Sequence, residues 1–252
     1  VLIMASAWFT IGILISTITL AVKGASYQSA ITQAADALTG GDFDVASQQA
    51  ATAAADGSAM AGAAHATQFE LISKLPFVGT AATNLQKVSD AGRDVAQATN
   101  AAVGMYGDLS GKSGGSKVFS KTSIDLAKIK ALPPQLDAIN ADLDRAEIEL
   151  RSLVLTGPGT GLLKKVQSKA LDQLDPVHEA TQALGVIAPL LPDALGANGP
   201  RRYLIAIGNQ AEMRASGGAP LTLAMVEFFD GKVTIPVKGQ TSTQLFPPVN
   251  RP

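Results

Sequence analysis

The sequence predicts a mainly α-helical chain. It should open with an N-terminal transmembrane helix, continue as an elongated helical bundle or stalk, and close with the start of a small α/β head containing a β-hairpin. Three observations predict this. Val1 to Val22 carry no charged side chain, and the first charge is Lys23. From Ser26 to about Leu191, apolar residues recur at helical spacing in an alanine-rich background. Beyond Gly199-Pro200 the pattern changes to short β-type runs, two of them joined by the hairpin dipeptide Asp230-Gly231. The implied division is a transmembrane helix over 1–23, an extracytoplasmic bundle over 24–198, and an incomplete head over 199–252.

The uncharged stretch makes about 33 Å of helix at ~1.5 Å per residue, against a hydrocarbon core of about 30 Å. A cleaved leader would have an apolar region of only ~7–15 residues. This run is longer and holds Trp8, so it reads as an uncleaved anchor. Gly12, Ser16 and Thr19 form a small-residue strip along it. With Trp8, they are the candidate contacts with the lipid bilayer and with membrane-protein partners. Long C-terminal bodies translocate largely regardless of charge. The expected arrangement is therefore a single pass in the cell membrane, N-terminus cytoplasmic and body extracytoplasmic, with a short cytoplasmic piece before Val1.

Composition excludes several classes. Lys+Arg 20 against Asp+Glu 21 gives a net charge of −1 over 252 residues, which offers no basic footprint for nucleic acid. Cysteine is absent, so disulfides, thiolate metal sites and cysteine nucleophiles are excluded. His65 and His178 are the two histidines and lie in separate segments. They read as surface or boundary residues, and no metal or other cofactor is expected.

The helices follow in order. Tyr27 to Leu38 is read as the first helix of the body. Thr39-Gly40-Gly41-Asp42 ends it, with a glycine C-terminal turn and Asp42 as the next N-cap. Phe43 to Leu75 is read as one alanine-rich helix, with Gly57 and Gly62 as weak points. Pro76-Phe77-Val78-Gly79 breaks the chain. Val88, Val95, Ala102 and Leu109 then fall seven apart, with Leu85, Gly92, Thr99 and Tyr106 at the second seam position. Ser110 to Ser116 reads as a flexible Gly/Ser/Lys loop. Pro133-Pro134 marks a helix start. After it, Leu136, Ile139, Leu143, Ala146, Leu150 and Leu153 alternate three and four apart, with charges on the other faces. Leu162 to Leu174 follows, and Asp175-Pro176 reads as an N-cap and first turn of another helix. These stripes are read as the bundle's own core.

Tyr203 to Ile207, Leu221 to Phe229 and Lys232 to Val237 are the expected strands, with Pro236 marking an edge or a strand end. Three strands are few for an independent sheet. Completion by residues beyond 252 or by another chain is expected.

Between the first two strands lies Asn209-Gln210-Ala211-Glu212-Met213-Arg214-Ala215-Ser216-Gly217-Gly218. This segment, with Phe228-Phe229-Asp230-Gly231-Lys232 after it, resembles the DUF4012 family of bacterial membrane-anchored proteins. That family's motif is Asn-Asn-Ala-Glu-x-Arg-x-x-Gly-Gly. Asn209, Ala211, Glu212, Arg214, Gly217 and Gly218 match it. Gln210 replaces an Asn, Ala215-Ser216 replaces Pro-Thr, and Ala219 replaces an aromatic, which removes any packing role of that ring. The specific match covers roughly Arg202 to Val233. The resemblance implies a longer chain and a cell-surface polysaccharide context, and it carries over no biochemical activity. Physically, Arg214 could donate and Glu212 accept in a polar pocket for a sugar or anion, with Asn209, Gly217 and Gly218 shaping the loop. The same residues could instead form a hydrogen-bonded loop that fixes strand geometry, which is the favoured of the two readings. Arg201-Arg202 reads as a solvated strand entrance.

No nucleophile–base pair, phosphate loop or carboxylate dyad stands out, and no catalytic residue is assigned. The function expected is a non-enzymatic, membrane-anchored structural or interaction protein of the cell envelope. Two alternatives remain. One is an enzyme or accessory factor in cell-surface polysaccharide assembly, acting through Glu212 and Arg214. The other is an extracytoplasmic sensor.

Overall fold

The computed structural model describes residues 2–76, 78–156, 160–209 and 219–241. The chain is mainly helical with one three-stranded antiparallel sheet, and it divides into two compact units. The first comprises Val1–Asp108 and Pro133–Val186; the second comprises Leu109–Leu132 and Ile187–Pro252.

The first unit is a helical bundle. α1 (Leu2–Gly40) runs unbroken through the uncharged stretch and the segment expected to start a separate helix at Tyr27. Nothing in Lys23-Gly24-Ala25-Ser26 stops it: a single glycine costs about 1 kcal/mol, and Lys, Ala and Ser are tolerated. Among the described residues, no helix is long and apolar enough to cross a membrane. Side chains of residues 1–14 lie outside those described. Gly41 then adopts a φ of 80°, the left-handed turn expected of it. Asp42 caps α2 (Phe43–Ala64) by accepting from the Val45 N–H at 3.2 Å. The helix expected to reach Leu75 ends early at Ala64, and a separate short helix, α3 (Thr67–Ser73), follows.

α4 (Gly79–Ser110) lies at the centre of this unit. None of the expected heptad-seam residues is fully buried: Val88, Val95 and Ala102 flank the core half-buried, Tyr106 is exposed, and the buried positions are offset from the seam. On one side Ala91 and Ala98, backed by Val88, Val95, Ala102 and Met105, meet α6 (Leu132–Arg151) and α7 (Gly161–Ile187). On another, Ala96 packs with Ala30 and Ala53, and Val103 with Ala34, Ala46 and Ala50. These small residues let α1, α2 and α4 approach closely. Gly57, read as a weak point, is a contact point instead: a methyl group there would lie 3.0 Å from the Arg93 Cα. Tyr27 fills the edge of the alanine cluster, and burial pushes its phenol up to about 12.

The α6 stripe is fully used. Leu136, Ile139, Leu143, Ala146, Leu150 and Leu153 are all buried, none more than 7% exposed. At full burial each large aliphatic contributes about 1.5–3 kcal/mol of transfer free energy. Asn84, buried on α4, uses its amide as a strand would use its backbone: it accepts from the Val154 N–H at 2.9 Å and donates to the Val154 carbonyl at 2.8 Å. Pro176 does not start a helix as expected. It sits inside α7, which continues through it. An interior proline costs about 3 kcal/mol, and burial of Leu174 and His178 on either side offsets that cost.

The second unit is built on β1 (Arg201–Asn209), β2 (Ala219–Phe229) and β3 (Lys232–Thr241), a meander in the order β1-β2-β3. Asp230 and Gly231 both adopt positive φ, 47° and 71°, as a two-residue hairpin turn requires. Arg202 faces Glu227 across β1 and β2 and pairs with it. β3 continues past Pro236 to Thr241. Ile235 and Pro236 together oppose Val226, so the proline occupies a bulge on a strand that lies at the sheet edge among the described residues.

Residues 111–115 form turns and bends, as the loop expected there requires, and the segment Leu109–Leu132 that holds them belongs to this second unit. It carries α5 (Leu126–Lys130), capped by Asp125, and forms an isolated bridge from Ser123 to Lys232. The Ile124 N–H donates to the Gly231 carbonyl at 2.7 Å, and Val233 donates to Thr122 at 2.9 Å. The helix α8 (Leu191–Ala194) adds a second support: Asp230 donates to the Gly196 carbonyl just after it at 3.0 Å, and Tyr203 Oη donates to the Ala194 carbonyl at 2.7 Å.

Candidate functional site

Charged side chains on the bundle converge at one place. Asp90, Arg93 and Asp94 are three and four residues apart on α4 and so share a face. Asp94 is 1% exposed. It accepts from Arg93 Nε at 2.9 Å on one oxygen, and Arg145 Nε of α6 lies 3.5 Å from the other. Arg93 Nη1 also reaches Asp90 at 2.9 Å, and His65, at the end of α2, places Nε2 2.7 Å from Asp90 Oδ2. Asp142 pairs with Arg145 at the other end. His65, Asp90, Arg93, Asp94 and Arg145, with Ile148 and Glu149, line a pocket of about 300 Å³.

The electrostatics follow from this order. The hydrogen bond to Asp94, then the nearby carboxylate charges, holds the Arg93 guanidinium above its usual range. Burial raises the Asp142 carboxyl, and the Asp94 charge adds to that rise against the opposing pull of Arg145. Both arginines are already engaged by carboxylates. Three lining carboxylates, Asp90, Asp94 and Glu149, stand against the two arginines, and the first chemical effect of the cluster is to cross-link α2, α4 and α6.

A second cluster joins α6 to α7. His178, expected at a surface or boundary, is 5% exposed. Its Nδ1 lies 3.1 Å from Glu147 and its Nε2 3.1 Å from Asp144, with Gln182 Nε2 at 2.9 Å. Glu147 also accepts from Arg151 at 2.6 Å. That bond first, and His178 second, lowers the Glu147 carboxyl below the usual range.

The third charged contact is a single pair. Asp56, 2% exposed on α2, accepts from Lys23 Nζ of α1 at 2.7 Å. Burial alone would raise this carboxyl. Hydrogen bonds from Lys23 and Ser26 and the Lys23 charge outweigh it, so the pKa is lowered. Among the described residues, no group of three or more His, Asp or Glu side chains could hold a metal.

The residues singled out in the sequence fall as follows. Glu212, Arg214, Gly217 and Gly218 lie outside the described residues. Asn209 is the last residue of β1 and pairs in register with Ala219, so the two strand ends that flank the motif are neighbours. Ser16 is buried and Thr19 half-buried on α1, while Trp8 and Gly12 are helical with their side chains outside the described set. Arg201, read as a solvated strand entrance, pairs with Asp193. Sequence reasoning missed the network from His65 to Asp142. Its one local signal is the spacing of Asp90, Arg93 and Asp94 on an otherwise small-residue helix.

Residues 198–252 match the DUF4012 family model, described as a protein of unknown function. The resemblance drawn from the Asn209–Gly218 segment and its flanking strands therefore holds for the C-terminal part of the chain. Neither a curated protein nor a solved structure matches the chain.

Proposed function

We propose that this chain is a membrane-anchored, extracytoplasmic structural and interaction protein of the bacterial cell envelope, a single-pass subunit or accessory of a larger membrane assembly. One observation carries the reading. The uncharged stretch from Leu2 to Val22 and the first helix of the bundle are one continuous helix, α1. An anchor joined in this way has no hinge, so the position of the foot sets the position of the bundle. Lys23, the first charge, is tied to buried Asp56 at the join. The bundle's charged clusters support the same reading, because Arg145 of α6 reaches Asp94 of α4 and Arg151 of α6 reaches Asp175 of α7, contacts that hold helices together. The partners this fits are the bilayer, other membrane proteins along α1, and cell-surface polysaccharide at the C-terminal domain.

The test uses the cysteine-free chain. Full-length protein with the single change Val166→Cys is expressed in a bacterial host. The expected result is a membrane fraction that resists alkaline carbonate and a cysteine labelled by a membrane-impermeant maleimide in intact spheroplasts. Release by carbonate, or labelling only after lysis, would overturn the reading.

A further inference from the structure

α3 and the turn after it carry an apolar set that the bundle leaves uncovered. Leu71, Leu75 and Val78 are about half exposed, at 48%, 53% and 47%. Their spacing of four and three places them along one face where the chain keeps helical turns. Those turns are visible in the bonds from Gly79 to the Leu75 carbonyl and from Ala82 to the Val78 carbonyl. Lys74 is exposed beside them.

The position of this set along α1 decides what covers it. α2 runs antiparallel to α1, with Lys23 on Asp56 and Gly24 beside Met60. Four more residues of α2, at ~1.5 Å each, carry its end at Ala64 about 6 Å past that level, toward the uncharged end of α1. α3 then follows, and it touches α1. On α1 itself Ile15 and Val22, seven apart, are both 60% exposed. The uncovered apolar set therefore lies beside the uncharged part of the helix.

We propose that α3 with its following turn is a membrane-interface segment. Leu71, Leu75 and Val78 would enter the headgroup–acyl boundary by about 5–10 Å, with Lys74 reaching the lipid phosphates. The occupant is the bilayer surface, because the set is continuous with the uncharged stretch of α1. This rests on the anchor reading above. It adds a second contact, which would fix the rotation of the bundle about α1.

The test places single cysteines in the full-length chain, labels them with the polarity-sensitive fluorophore NBD, and reconstitutes the protein in phosphatidylcholine–phosphatidylglycerol vesicles. Leu71→Cys, Leu75→Cys and Val78→Cys should show blue-shifted emission. Their quenching by doxyl lipid should be roughly threefold or more above that of Val45→Cys at the opposite end of the α1–α2 hairpin, as interfacial burial requires. Equal access to aqueous iodide at Val45 and at the three sites would overturn the proposal. Protection from both quenchers would mark a protein partner, such as a second copy, and would overturn it equally. Ile11→Cys separates the two readings. Lipid quenching at Ile11 without quenching at α3 leaves the anchor and removes the α3 contact. Quenching at α3 without Ile11 leaves the lipid contact and removes the anchor.

Discussion

The bundle and the sheet treat their large aliphatic residues in opposite ways. In the bundle Ile139, Leu143 and Leu150 are 2–3% exposed. In the sheet Leu204, Ile205, Ile207 and Ile235 are 46–66% exposed. The α6 stripe is used up by folding, while in the same unit Leu71, Leu75 and Val78 stay about half exposed. The sheet leaves apolar side chains on the surface, and such patches mark places where other molecules bind. Structural work is therefore concentrated in α4, α6 and α7, and recognition is expected around β1 to β3, on the domain that carries the family match.

Substitutions can break or sharpen this contrast. Leu143→Ala should have the largest effect, about 3 kcal/mol of lost stability from a cavity that the packed helices cannot close. Thermal unfolding of the full chain followed by circular dichroism should show a drop of about 10 °C, given roughly 2–4 °C per kcal/mol at this size.

Lys23→Met should cost about 2 kcal/mol, because it leaves the Asp56 carboxylate buried without its cation; this is set below the full buried-pair value because Lys23 is half exposed. The pH dependence has a defined sign. The folded pKa of Asp56 is lowered, so its contribution is complete above the ordinary aspartate range and is lost as pH falls through the folded value. The wild type should lose stability below about pH 4 from this pair, a loss that Lys23→Met abolishes. An unchanged acid profile in the variant would show that the pair contributes nothing.

Two glycines of α2 give a sharper contrast. Gly57→Ala should destabilise by about 1 kcal/mol, because the new methyl meets the α4 backbone and outweighs the gain in helix propensity. Gly62→Ala, with nothing within 4 Å, should stabilise by up to about 1 kcal/mol. Equal effects at the two sites would show that α2 and α4 are not in close contact. Leu204→Ala in the sheet should be the smallest effect, within about 0.5 kcal/mol, as for other surface changes. A loss as large as that of Leu143→Ala would erase the difference between the two units.

What the sequence made legible was local. The α6 stripe, the Asp42 cap and the Asp230-Gly231 turn each follow from a few adjacent residues, and each forms as read. Pro176 was misread because its local preference for a helix start is weaker than the packing of α7 on α6. The pairing of Asn84 with Val154, and of residues 122–124 with the β2–β3 hairpin, spans some 70 and 110 positions and leaves no local trace. The charged network behaves likewise. His65, Asp94 and Arg145 become neighbours only once the registers of α2, α4 and α6 are set by alanine and leucine contacts. The Asn209–Gly218 motif was legible as a family signature, and the match of residues 198–252 to the family model bears the resemblance out.

The central claim is that one unbroken helix joins a membrane foot to the bundle. Cysteine scanning along α1, from Ile11 to Ala37 in the reconstituted full chain, measures it directly. The account predicts a single sharp change near Lys23: lipid-facing and unreactive to impermeant maleimide before it, water-reactive with helical periodicity after it. Uniform reactivity on both sides of Lys23, or a break in the periodicity between Lys23 and Tyr27, would contradict it.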